Sequence, residues 1–278
     1  GRGRRRGRGR AFRGMSTAVW PKMPDPEAER VSLALLRKHD VRAPGEIHLE
    51  RLSERENAYV VAKRPGNVTA RLIHGLVDQA LIYVDPDGAK TPRGRFSLAH
   101  ELLHWLLKHG ADLLEACSGS DPARGSRFKA EHAADDGAAT LLMPGYLAAD
   151  HCGAAQPTFD HVFEFAESFT VSAAAAGLRY VQLASAPCAV ACVRHGVVRW
   201  WNASAAFPVR LARRFELGPG AHAASPESLE RHVREGKPQL APGFAWSPDK
   251  KRARPLSFLE HAVPIAGTED TLVWLVPA

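Results

Sequence analysis

The sequence has little of what marks secreted or membrane-spanning proteins. Cysteine occurs only four times in 278 residues, at Cys117, Cys152, Cys188 and Cys192. The last two lie in a strand-like run, where four residues span roughly 13 Å, so we expect buried free thiols and no disulfide or metal site there. No apolar run approaches the ~20 residues of a membrane span. No apolar segment follows the arginines that precede Met15. The sequence therefore predicts a cytoplasmic protein that does not associate with membranes.

Acidic residues are absent from residues 1–14, a segment that holds seven arginines. Without this segment 30 basic and 30 acidic residues remain, so the net charge of +7 falls to zero. We expect residues 1–14 to form a disordered Arg/Gly tail, because they offer no apolar surface to bury. A neutral remainder argues against direct nucleic-acid binding. An alternative origin for the tail is translated upstream sequence, with Met15 as the true start.

The segment on which the chemistry depends is His100-Glu101-x-x-His104, an H-E-x-x-H pattern within a helix-forming run. Thr91 is a good N-cap, Pro92 suits the first helical position, and Gly110 is a plausible stop. The predicted buried stripe consists of Phe96, Ala99, Leu103 and Leu106.

Histidines four residues apart lie one above the other on a helix, so His100 and His104 can bind one metal ion. Glu101 points about a quarter-turn away, where a carboxylate can act on water. Since the chain has 13 histidines, a chance match on the surface is the alternative. The apolar surroundings favour the metal site, because a buried charged group needs a partner.

A third ligand is predicted on a second helix, which Pro144 ends. Glu131 and Asp135 are four residues apart and share a helical face. This spacing suits a metal-ligating carboxylate followed by a carboxylate that fixes the tautomer of a ligating histidine. A solvated acidic face is the alternative, and His132 is the rival third ligand.

Three segments together resemble the ImmA/IrrE family of metallo-endopeptidases over about residues 25–185. They are Arg93-x-Arg95-Phe-Ser-Leu-Ala-His-Glu-Leu-Leu-His104, Glu131-His-Ala-Ala-Asp135-x-Gly-Ala-Ala-x-Leu-Leu-Met-Pro144 and the segment Phe165–Tyr180. The resemblance implies that His100, His104 and Glu131 bind zinc, with manganese as an alternative metal, and that Glu101 is the catalytic base. It also implies a specific protein substrate, typically a helix-turn-helix repressor cut under stress or prophage induction.

The sequence departs from the family pattern at two positions of the second helix. The family usually has Asn where Asp135 stands. This difference replaces an amide with a carboxylate, and either group can form a hydrogen bond with a ligating histidine. The family usually has a bulky residue where Gly137 stands, and from that difference we expect looser helix packing near the site. The residue that stabilises the oxyanion is not evident, and Tyr180, His151 and His161 are the candidates considered.

Several short elements are predicted before the metal helix. A helix begins at Asp25-Pro26 and continues to about residue 38, and a short helix covers about 46–54. Residues 58–62, 69–74 and 79–84 have the composition of strands. By its position alone, 79–84 is the candidate edge strand for pairing with a substrate backbone. Residues 111–126 are predicted to form a loop, which serves either as a lid or as a connector.

After the site, 159–168 and 172–183 are predicted to form two helices with Ser172 as N-cap. They have a helix-turn-helix-like pattern, but neither is markedly basic, so packing against the peptidase core is the favoured role. Beyond residue 187 a hairpin of 189–193 and 197–201, a helix at 225–234 and strands at 257–262 and 271–276 are predicted. A ligand pocket or a packed core would explain the aromatic residues Trp200, Trp201, Phe244 and Trp246.

The fold class that follows is α+β. We expect the tail at 1–14, a zincin-like zinc metallopeptidase domain at 25–150, a helix-turn-helix-like segment at 151–185, and a smaller α+β domain at 187–278. The last of these resembles, by analogy alone, a GAF-type sensor. The expected function is zinc-dependent hydrolysis of a peptide bond in a DNA-binding repressor. The alternative is a non-catalytic regulatory or ligand-sensing protein that keeps a structural metal site.

Overall fold

The computed structural model describes residues 25–66, 69–75, 78–108 and 122–278, with side chains described from residue 129 onward in the last range. The Arg/Gly tail, Met15, Gly110 and Cys117 lie outside the described residues. The chain is a mixed α+β protein, as expected from the sequence. Within the described ranges, no helix is both long and apolar enough to cross a membrane.

The first half contains the helices α1 (Pro26–Lys38), α2 (Leu49–Arg55), α3 (Pro92–Leu106) and α4 (Pro122–Leu142), and the strands β1 (Ala58–Ala62), β2 (Ala70–His74) and β3 (Ala80–Val84). A one-turn 3-10 helix, Pro44–Glu46, precedes α2, so the helix predicted at 46–54 begins later than expected. Helix α4 begins at Pro122, so residues 122–126 are helical and do not belong to the predicted loop.

The three strands form a sheet in the order β1-β3-β2, with β1 parallel and β2 antiparallel to β3. The central strand is therefore β3, and both of its edges are already paired. The prediction that 79–84 is a free edge strand is wrong, because a strand with two neighbours has no unpaired backbone groups to offer. The edge strand that contacts α3 is β2.

The second half contains α5 (Phe159–Phe169), α6 (Ala173–Leu183), α7 (Pro226–Glu235) and the strands β4 (Ala189–Arg194), β5 (Val197–Ala203), β6 (Gln239–Pro242), β7 (Ser257–Pro264) and β8 (Asp270–Pro277). These strands form an antiparallel sheet in the order β5-β4-β8-β7-β6. The predicted hairpin turns at His195 and Gly196, both of which have positive φ. Strand β6 was not predicted.

One apolar core joins α3 and α4 to α5 and α6. Phe159, Phe165 and Tyr180 are buried in it together with Trp274 of β8, whose indole N–H donates to the carbonyl of Pro157 at 3.0 Å. The helix-turn-helix-like pair thus uses its apolar faces for packing. Ser172 caps α6 by accepting from the N–H of Ala175, as predicted.

A second core fills the other face of the large sheet, under α7 and the segment that follows β5. Trp201 and Phe244 pack against it and Trp246 is buried in it, whereas Trp200 packs against the first core. The four aromatic residues therefore line no common pocket, and the core explanation is the correct one. Cys152, Cys188 and Cys192 are buried free thiols, as expected.

Candidate metal centre

Helix α3 begins where the sequence indicates. Thr91 is extended and its side chain accepts a hydrogen bond from the N–H of Gly94 at 3.1 Å, while Pro92 occupies the first turn. The helix buries Leu98, Ala99, Leu102 and Leu103. Phe96 and Leu106 are only partly buried, so the buried stripe is rotated from the predicted one. This rotation leaves His100 and His104 at the border between the core and solvent.

His100, His104 and Glu131 form a group whose ligand atoms all lie within 4.8 Å of one another. The two Nε2 atoms are 2.9 Å apart, and Glu131 Oε2 is 3.4 Å from that of His100 and 3.8 Å from that of His104. The histidine side chains are 17% and 11% exposed, whereas Glu131 is 48% exposed. The group is therefore held by the core on one side and open to solvent on the other.

These distances fit a single metal ion. Four ligands placed tetrahedrally at the usual zinc–nitrogen and zinc–oxygen bond lengths are separated from one another by roughly 3.4 Å. The three observed separations bracket this value. Two imidazoles and one carboxylate are also a ligand set that zinc uses in catalytic sites, where a fourth position stays open. The residues present thus fit the metal that the family resemblance implies.

Asp135 lies one helical turn beyond Glu131 on α4, and its Oδ1 is 2.9 Å from His100 Nδ1. Burial lowers the pKa of His100, but the hydrogen bond to Asp135 and the nearby carboxylates outweigh it, so this pKa is raised overall. When Nδ1 donates to Asp135, the lone pair of His100 is on Nε2, directed at the group. His132, the rival ligand, is not part of the group.

Glu101 lies on the side of α3 that faces strand β2. Its Oε2 accepts a hydrogen bond from the backbone N–H of Leu72 at 3.0 Å. Burial raises the pKa of Glu101, while His100 and the Leu72 amide act in the opposite direction. A carboxylate whose pKa is raised by burial takes up a proton more readily, which suits it to exchange protons with water. The role of the Leu72 amide was missed in the sequence, since any residue supplies a backbone N–H.

Gly137 brings helix α4 close to its neighbours. A Cβ at this position would lie 2.6 Å from Leu103 Cδ1 and 3.2 Å from Ala28 Cβ. The hydroxyl of Ser32 on α1 donates to the Gly137 carbonyl at 2.9 Å. The expectation of looser packing here is wrong, because the missing side chain allows the helices to approach each other more closely.

The three candidates for oxyanion stabilisation each have contacts with other residues. Tyr180 is fully buried between Phe165 and Trp274. His161 Nδ1 bonds Thr158 at the start of α5. The ring of His151 packs on Phe165, with the two ring centroids 5.6 Å apart. Each residue makes packing or capping contacts, and these contacts are not evident from the sequence.

Comparison with known proteins supports the resemblance. Residues 53–180, which include α3 and α4, match the family model Peptidase_M78, described as the IrrE N-terminal-like domain. A solved structure called a Mycobacterium tuberculosis transcriptional regulator is similar with a TM-score of 0.54 and 13% sequence identity, over 91% of this chain and 88% of that chain. At this identity the likeness concerns the fold alone. No curated protein matches the sequence.

Proposed function

We propose that this chain, which belongs through residues 53–180 to the family described as the IrrE N-terminal-like domain, is a zinc-dependent endopeptidase. The observation that carries the proposal is the convergence of His100, His104 and Glu131 next to Glu101. A metal group that was only structural would need no partly buried carboxylate beside it, since closed structural zinc sites use four protein ligands.

In this proposal His100, His104 and Glu131 hold the metal, and Asp135 keeps the His100 ring in the tautomer that presents Nε2. Zinc supplies Lewis acidity, which makes water a better nucleophile and polarises a peptide carbonyl. Glu101 accepts the proton of the attacking water and then delivers it to the leaving amine. The Leu72 amide holds the Glu101 carboxylate in place for both transfers.

The substrate backbone would be held by β2, the edge strand next to Glu101. An edge strand binds an extended peptide through main-chain hydrogen bonds, which serve any sequence. Pairing with β2 places a peptide bond beside the base without a preformed pocket.

The proposed substrate is a helix-turn-helix repressor, cut in the cytoplasm so that transcription is released under stress or prophage induction. Support comes from the family resemblance in the three motifs around His100, Glu131 and Tyr180. The similar solved structure is itself called a transcriptional regulator, which is compatible with a role in gene regulation but is said of that protein alone. Manganese is the alternative metal, since its ligands are also nitrogen and oxygen.

A second candidate is a non-catalytic regulator that retains the metal group for stability. The observation that favours it is the similarity to a protein called a regulator. The retained Glu101 disfavours it, because partial burial of this carboxylate raises its pKa, which costs free energy that a structural site would not require.

The test is co-expression of the protein with each helix-turn-helix repressor encoded in the same genome, followed by mapping of any cleavage. Native protein is compared with Glu101→Gln, in which the amide oxygen still accepts from the Leu72 N–H but cannot take up a proton. The variant should retain metal and thermal stability while cleavage falls by roughly 10²–10⁴-fold. Equal cleavage by both proteins would reject Glu101 as the base. Binding without cleavage by the native protein would favour the regulator.

A further inference from the structure

The outer face of the three-stranded sheet, opposite the face that packs on α3, carries a row of exposed apolar side chains. The register places Tyr59 of β1 beside Leu81 of β3, and Leu81 beside Ile73 of β2. These side chains are 42%, 38% and 46% exposed. The row ends at Ile73 on the edge strand, so a further strand added to β2 would extend it.

The backbone of β2 determines how such a strand would be placed. Thr69 accepts a hydrogen bond from the N–H of Asp85, so odd-numbered residues of this segment bond to β3 and even-numbered residues turn outward. The Leu72 N–H, which reaches Glu101, follows this alternation. An added peptide would bond to the outward groups of the even-numbered residues, except for the Leu72 N–H, and would lie directly beside the base.

Arg71 stands on the same outer face as Ile73, two residues along the edge strand, and is exposed. This places a positive charge beside Ile73, at the edge where a peptide would pair. Residues directly opposite on paired strands have their side chains on the same face, where apolar pairs and opposite charges are favourable.

We propose that Ile73 and Arg71 select the substrate by the side chains that a bound peptide directs to the outer face of the sheet. The residue opposite Ile73 is apolar and continues the row of Tyr59 and Leu81. The residue opposite Arg71, two positions away, is acidic. This specificity rests on the proposed function, since it describes what the same site cuts. Which of the two residues comes first in the peptide depends on whether the peptide runs parallel or antiparallel to β2.

The test is a selection of randomised twelve-residue peptides, displayed on their encoding nucleic acid, against immobilised full-length Glu101→Gln protein loaded with zinc. This background prevents cleavage, so selection reports binding alone and is independent of changes in the pKa of residue 101. Arg71→Glu reverses the charge beside the edge, and Ile73→Thr keeps β-branching while removing apolar surface. Lys63→Glu is the matched control, an exposed charge reversal next to β1 at the opposite edge of the sheet.

We expect enriched peptides to carry an acidic and an apolar residue two positions apart. Arg71→Glu should replace the preference for an acidic residue with one for Lys or Arg. It should also weaken the binding of a peptide selected on the Arg71 protein about fivefold. Ile73→Thr should relax only the apolar preference, and Lys63→Glu should leave both unchanged. The inference is overturned when nothing is enriched, when the pattern is absent, or when Arg71→Glu and Lys63→Glu act alike. Selected peptides that bind but are not cut by the native protein would instead count against the proposed endopeptidase.

Discussion

Glu101 Oε2 is joined to the backbone N–H of Leu72 by a hydrogen bond of 3.0 Å, and this contact links the metal helix to the edge strand. The carboxylate next to the proposed metal ligands is thus held at a fixed place along the strand proposed to bind substrate. One outward-facing donor of β2 is used by the base, so a bound peptide meets the Leu72 carbonyl but not its N–H. Chemistry and substrate position therefore depend on the same contact.

The first prediction concerns metal binding. His100→Ala and His104→Ala each remove one of the converging nitrogen ligands, so purified variants should lose most of the metal, about one ion per chain, that the native protein carries. Elemental analysis after dialysis measures this loss. His132→Ala is the matched control, since it removes an exposed imidazole next to Glu131 that is not in the group.

Unchanged metal content in both His100→Ala and His104→Ala would reject the site. Loss of metal in His132→Ala, with metal retained in Glu131→Gln, would instead make His132 the third ligand. A neutral amide is a poor zinc ligand, so Glu131→Gln should weaken metal retention if the observed group is correct.

The second prediction concerns Asp135, whose carboxylate is 2.9 Å from His100 Nδ1. Asp135→Ala should weaken metal affinity by roughly 10–100-fold, the usual effect of losing a partner of a ligating histidine. Asp135→Asn retains an oxygen acceptor, so it should weaken metal affinity less than Asp135→Ala does. Competition with a chromophoric chelator measures both affinities. Equal losses in the two variants would show that charge, and not the hydrogen bond, is what Asp135 contributes.

The start of α3 and the approach of His100 to His104 follow from the sequence because both depend on local spacing. Thr91 and Pro92 determine where α3 begins, and a separation of four residues brings His100 and His104 to one side. Strand order is different, because the three strands have similar compositions and nothing local indicates which becomes central. The edge was therefore assigned to β3, whereas long-range pairing gives it to β2.

Gly137 shows a second limit of inference from sequence, since a glycine inside a helix suggests weakness when viewed alone. Its effect depends on what a side chain would touch, and here that is Leu103 of α3, next to His104. The contact joins residues more than thirty positions apart, and it becomes visible only when α3 and α4 are packed together.

The third prediction follows from this close packing. Gly137→Ala should gain about 1 kcal/mol of helix propensity but lose about 1–3 kcal/mol by overpacking against Leu103 and Ala28. The melting temperature should therefore fall by several degrees. Gly45→Ala is the control, because a Cβ there meets nothing within 4 Å. A Gly137→Ala protein as stable as the native one would show that Leu103 moves aside at little cost.

His232 is the titratable group whose neighbours in the second core determine the last prediction. It is only 1% exposed, and its Nε2 accepts a hydrogen bond from the Ala262 N–H at 2.9 Å, which requires an unprotonated nitrogen. The ring centroids of His222 and His261 lie 5.1 and 6.0 Å from that of His232, and among the described residues the other ring nitrogen, Nδ1, has no hydrogen-bond partner. Burial, and secondly these two histidines, lower the pKa of His232 to about 4.

The fourth prediction is a loss of stability with acidification that depends on His232. A histidine in the unfolded chain titrates near pH 6.5, whereas His232 in the fold stays neutral until about pH 4. Between these values the unfolded state binds a proton that the folded state does not, so the free energy of unfolding should fall by up to about 1.4 kcal/mol per pH unit. Urea unfolding at pH 7, 6, 5 and 4.5 measures this slope.

His232→Gln keeps an acceptor for the Ala262 N–H and does not titrate, so its slope should be shallower. His48→Gln, at an exposed position, is the control and should retain the native slope. Equal slopes in His232→Gln and the native protein would assign the acid sensitivity to other groups, such as His261, whose pKa is also lowered by burial.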